Sequence, residues 1–144
     1  MSGQRGSVSV EMAILTPAFL LLMVFGIVGG RTAVAYNAVD LAAHDAARTA
    51  SISRDAETAA VRAVAAALDT LAQQGLDCVD APGGGPVVSV DTSGFAVPVG
   101  QPAAVSVTVT CTVSFADVAL PGVPAQRRLT STFVSPLDTY RSRS

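Results

Sequence analysis

Charge vanishes from the chain after Glu11 and does not return until Arg31, leaving a 19-residue run, Met12 to Gly30. As a helix rising 1.5 Å per residue this run spans roughly 28 Å, close to the roughly 30 Å hydrocarbon core of a bilayer. Thr16 is its one clearly polar residue. A core helix of a small soluble domain keeps a polar stripe, so the pattern predicts a membrane span. Pro17 removes one helix hydrogen bond and favours a kink, which membrane helices tolerate. Gly26 and Gly30, four apart, allow close helix packing within the span.

Beyond Arg31 the apolar positions adopt a helical period. Asn37, Asp40, His44 and Arg48 mark a wet stripe, and Val34, Ala35, Ala38, Leu41, Ala42 and Ala46 a dry one. Ser51 to Ser53 interrupt the pattern. Ser53 is placed to cap a second helix, with Asp55 and Glu57 in its first turns. In that helix Val61, Val64, Leu68 and Leu71 form an apolar stripe, Arg62, Asp69 and Gln73 face away, and Gly75 ends it. The stripe is expected to pack on the chain's own sheet, with a partner helix as the alternative.

Asp77 to Pro86 reads as a loop, and from Val87 the period becomes two. Val87 to Val90 and Phe95 to Val99 are short strand candidates. The clearest strand is Val105 to Phe115, with valines and Cys111 on one face and Ser and Thr on the other. Arg128 to Val134 is expected to pair with it across the loop at Pro121 to Pro124. The tail from Ser135 is expected to fray. The fold class that follows is α+β: a long N-terminal transmembrane helix, a second amphipathic helix and a small antiparallel sheet of three or four strands, together a lollipop.

Only 14% of the 144 residues are charged, against about 25% in soluble domains. All nine cations are arginine and the net charge is −2. With no basic patch interleaved with aromatics, nucleic acid is not an expected partner. His44, the one histidine, stands near Asp40 and Asp45 but lacks the spaced second ligand a metal set needs, so a solvated helix face is the expectation. The glycines at 83 to 85 are followed by no Gly-Lys-Ser/Thr and no helix, which argues against phosphate binding. No nucleophile–base set, paired acids or metal spacing is visible, so neither an enzyme, a cofactor nor a small-molecule substrate is expected.

Three membrane readings fit the N-terminus. A secretory signal peptide could end at Ala33 to Ala35, but Glu11 abuts its apolar region and Arg31 lies before the cleavage site. A plain, uncleaved anchor carrying an exported binding module leaves Glu11 without a role. In the third, Arg5-Gly6 is a basic leader end, four residues separate Gly6 from Glu11, and the apolar helix follows.

The stretch RGSVSVEMAILTPAFLLLMVFGIVGGR, Arg5 to Arg31, resembles the TadE-like pseudopilins of the tight-adherence (Tad/Flp) pilus system. The likeness rests on the Arg-Gly opening, Glu11, Pro17 six residues later, and a Gly near the end of the helix, and it covers roughly residues 4 to 50. It implies cleavage between Gly6 and Ser7 by a prepilin peptidase, with Glu11 meeting the new N-terminal amine of a neighbouring subunit. It implies as partners the lipid bilayer, other pilins and Tad assembly proteins. The place would be the bacterial cytoplasmic membrane, single-pass with the C-terminal part outside, and the role assembly or priming of a Tad/Flp-type pilus. The expected segments are a leader (1–6), a transmembrane and extended helix (7–50), a second helix (51–76) and an exported β-rich head (77–144). In an oxidising exterior Cys78 and Cys111 are expected to pair, stapling helix end to strand, the alternative being two reduced buried thiols.

Overall fold

A computed structural model of the chain describes residues 5–116 and 125–142, with side chains from Ser9 onward. The loop at Pro121 to Pro124 and the first four leader residues lie outside the described residues. The elements in order are helix α1 (Arg5–Ser51), helix α2 (Ala56–Gln73), strand β1 (Val87–Asp91), a short 3-10 turn (Ser93–Ala96), strand β2 (Ala103–Ser114) and strand β3 (Gln126–Leu137). The chain divides into two compact units, Met1–Val34 and Ala35–Ser144.

The first unit is α1's apolar stretch. The helix runs unbroken through Pro17. Thr16 Oγ1 donates to the Met12 carbonyl at 2.6 Å, and Thr32 Oγ1 to that of Val28 at 2.9 Å, so both hydroxyls are satisfied within the helix. The large apolar side chains point outward: Phe19 is 68% exposed and Leu22 72%.

The second unit has a core of its own. Three strands in the order β1-β2-β3 form an antiparallel sheet, with Val87 opposite Thr110 and Cys111 opposite Leu129. The strict alternation of β2 buries Val105, Val107, Val109, Cys111 and Val113 and turns its hydroxyl residues outward. On that outer face Thr108 and Thr110 share hydrogen bonds with Thr132 and Thr130 of β3, at 2.8 and 3.1 Å.

Against the valine face lies a helical layer built almost wholly of alanine. Ala38, Val39, Ala42, Ala43, Ala46, Ala47 and Ala50 of α1 join Ala59, Ala63, Ala67 and Leu71 of α2 in the same buried cluster. Ala35, Ala38, Ala42 and Ala46 of the expected dry stripe are buried, as is Leu71 of α2, but the other large members of both stripes are not. Val34 (63% exposed) and Leu41 (43%) of α1, and Val61 and Leu68 of α2, point to solvent. Close helix approach admits only small side chains, so size rather than hydropathy selects the buried face.

The cap of α2 is also corrected. Ser53 is buried and donates back to the Thr49 carbonyl at 3.2 Å, closing α1, while Asp55 caps α2 by accepting the Thr58 N–H at 2.7 Å. Gly75 ends α2 as expected, at φ +64°, with Gly75 N–H bonded to the Ala72 carbonyl and Leu76 N–H to that of Leu71. Phe95 to Val99 is not a strand: Gly94 and Phe95 lie in the 3-10 turn, and Phe95 enters the core. The end of β3 does not fray at Ser135. Pairing continues to Leu137, which is buried, and Arg141 donates to the Ile52 carbonyl at 2.9 Å.

Candidate functional site

The chain's most distinctive surface is the apolar length of α1. The 43 residues from Ser9 to Ser51 qualify as a candidate membrane span, with a mean hydropathy of 2.4 in the best window and none of that window buried by the protein. By length and composition this stretch is apolar enough to cross a membrane. Glu11 stands exposed at the head of the run. Gly26, Gly29 and Gly30 have open space where a side chain would project, so another helix can approach there.

The Gly6–Ser7 peptide lies in the first turn of α1. There the backbone N–H groups lack partners within the helix, and a glycine costs about 1 kcal/mol of helix propensity relative to alanine.

In the second unit the imagined His44 cluster does not form. Asp40 accepts the buried Ser131 hydroxyl at 2.7 Å, and Asp45 accepts the Thr70 hydroxyl at 3.3 Å. His44 Nδ1 lies 3.5 Å from Asp45, and its ring meets Phe133 edge-on with centroids 4.4 Å apart. The histidine stays partly exposed on the expected wet face, beside exposed Asn37, Asp40 and Arg48, and one edge of it packs on Phe133. Among the described residues no three His, Cys, Asp or Glu side chains converge as a metal set would.

Cys78 and Cys111 are joined in a disulfide, with Cα atoms 5.0 Å apart. Beside it is an arrangement that periodicity could not reveal. Asp80 is almost wholly buried, accepts the Thr112 hydroxyl at 2.6 Å and the Thr112 backbone N–H, and lies 3.6 Å from Arg128. The 78–85 loop is closed by Gly85 N–H on the Cys78 carbonyl.

At the start of α2 a cavity of about 490 Å³ is bordered by Arg54, Arg62 and Arg141, with Asp55 among them. The Thr58 N–H holds the Asp55 carboxyl below its ordinary range, with a small contribution from Arg62. The local positive field already has its own anion.

The apolar span, the carboxylate at its head and the glycine in its first turn fall inside a known family pattern. Residues 6–48 match the TadE-like protein family. The matched segment covers Gly6, Ser7, Glu11, Pro17, Gly26 and Gly30. The residues after 48 lie outside the TadE-like match. No curated protein and no solved structure matches the chain.

Proposed function

We propose that the chain is a membrane-anchored TadE-like minor pseudopilin, cleaved between Gly6 and Ser7 by a prepilin peptidase and acting in assembly or priming of a Tad/Flp-type pilus. One observation carries the reading: within the TadE-like match, Gly6 precedes Glu11 by five residues and Glu11 opens a lipid-sized span that the chain leaves uncovered. Cleavage makes a new α-amine at Ser7. An amine and a carboxylate at the edge of a low-dielectric region each cost several kcal/mol if left unpaired. Glu11 of one subunit meeting the amine of the next satisfies both and sets the register between them. Pro17 and the Gly26–Gly30 face shape the helix for that packing. The segment after Ala35 is the exported head, held outside the cytoplasmic membrane.

Mass spectrometry of the N-terminus tests the reading, with the chain extracted from membranes of a host that carries a prepilin peptidase. A mature chain starting at Ser7 is expected, and Gly6→Leu should abolish it. An intact N-terminus would overturn the proposal and leave an anchored binding module. A start at Tyr36 would make the run a signal peptide. Glu11→Gln should leave cleavage intact while blocking pilus assembly, read by recovery of surface filaments.

A further inference from the structure

The helix α2 carries a second apolar stripe that its own fold does not cover. Val61 is 66% exposed and Leu68 45%, and Ala65 and Ala72 beside them are exposed as well. The buried face of α2 is the separate row Ala59, Ala63, Ala67 and Leu71. At 100° per residue the exposed stripe lies roughly 150° round the helix from it. Spacings of four, three and four residues along 61, 65, 68 and 72 are those of a heptad seam, with Val61 and Leu68 at d and Ala65 and Ala72 at a.

The charges flanking this seam are self-complementary. In that register Glu57 is a g residue and Arg62 the e residue five positions on, the spacing at which parallel helices exchange ion pairs. Glu57 and Arg62 are both exposed, and the Glu57 carboxylate makes no ion pair among the described residues. Asp69, the acid that an antiparallel pairing would set against Arg62, is already held by Gln73 Nε2 at 2.7 Å.

We propose that α2 pairs in parallel with α2 of a second copy of this chain, burying Val61 and Leu68 in a two-helix seam and setting Glu57 of each copy against Arg62 of the other. The inference rests on the anchored reading, because spans held in one membrane present like copies with the same polarity and at high local concentration. Small residues at the a positions bring the two helices close, as at the alanine-lined interior of the head.

Disulfide trapping of the full chain in membranes tests it. Leu68→Cys should give a covalent dimer on mild oxidation, and Gln73→Cys, off the seam, should not. Adding Glu57→Arg to Leu68→Cys should lower the dimer fraction about threefold to tenfold, the range for losing two exposed ion pairs. Exchanging both charges, Glu57→Arg with Arg62→Glu, should restore it. Each variant is checked for the Cys78–Cys111 bond, so that a misfolded chain is not counted. A folded Leu68→Cys chain that gives no dimer overturns the pairing, as does a dimer indifferent to the charges. Trapping through Ala65→Cys, with Val61→Cys and Leu68→Cys both silent, would make the pairing antiparallel and also overturn it. N-terminal mass is read on the same samples. A start at Tyr36 sinks the anchor, whereas a Ser7 start without trapping sinks only the seam.

Discussion

Asp80 does the work of a missing piece of strand. Pairing between β1 and β2 reaches Val87 opposite Thr110, leaving the Thr112 backbone beyond it without a strand neighbour on that side. Val79 N–H bonds the Thr112 carbonyl at 3.1 Å, and the Asp80 carboxylate takes the Thr112 N–H and hydroxyl. Asp80→Ala takes the acceptor from two part-buried donors, a loss of about 1 kcal/mol, below the roughly 1–3 kcal/mol of a fully buried unsatisfied donor. The expected result is a lower denaturant midpoint with an unchanged slope. Asp55 makes a prediction in pH. Its carboxyl is held below 3.8 in the folded chain by the Thr58 N–H, so its contribution is present above that value and drains away as pH falls through the lower, folded one. Circular dichroism should show an acid-side loss of helix in the native chain, and that step should shrink in Asp55→Asn, which caps without titrating. Neither residue announced its role in the sequence. Asp80 shares a Pro- and Gly-rich loop with Asp77, and no period singles it out. Asp55 was legible as a first-turn acid, but Ser53 offered an equally good cap until its hydroxyl was drawn back to Thr49.

At the scale of elements, the alternation from Val105 to Phe115 predicted a half-buried strand, and a purely local period sufficed because every second residue enters one core. The helices were harder. Their extents were legible from polar spacing and from Gly75, and so was most of the α1 face, through Ala35, Ala38, Ala42 and Ala46; the α2 face was not, because its large apolar residues were taken to mark the interior. Alanine occupies it where α1 and α2 approach the sheet. Ala63→Leu therefore overpacks and should cost about 1–3 kcal/mol, measured by thermal or chemical unfolding. Val61→Ala, on the outer face, should leave the monomer's stability almost unchanged, within about 0.5 kcal/mol. The segment from Phe95 to Val99 has strand-like composition but not strand geometry. A Cβ at Gly94 would fall on the Ala104 carbonyl, so the turn depends on a backbone approach that only glycine permits.

Across the whole molecule, two long-range ties shape the head. The disulfide closes a 33-residue separation between the end of the α2 region and the central strand. In the chain-entropy account a loop of this length contributes about 3–4 kcal/mol. A Cys78→Ser, Cys111→Ser chain should unfold at correspondingly lower denaturant, and the native chain should match it once reduced. The pairing was legible once the apolar run implied export, since two cysteines in an oxidising space have only each other. The second tie was not legible. Arg141 reaches the Ile52 carbonyl beside the turn into α2, bringing the last described residues next to the first turn of that helix, where Glu57 lies. An affinity tag or fluorescent protein fused behind Arg141 would therefore emerge alongside the α2 surface. A bulky group placed at Arg141 should weaken whatever docks on the α2 surface, and the same group moved to the outer, threonine face of the sheet should not.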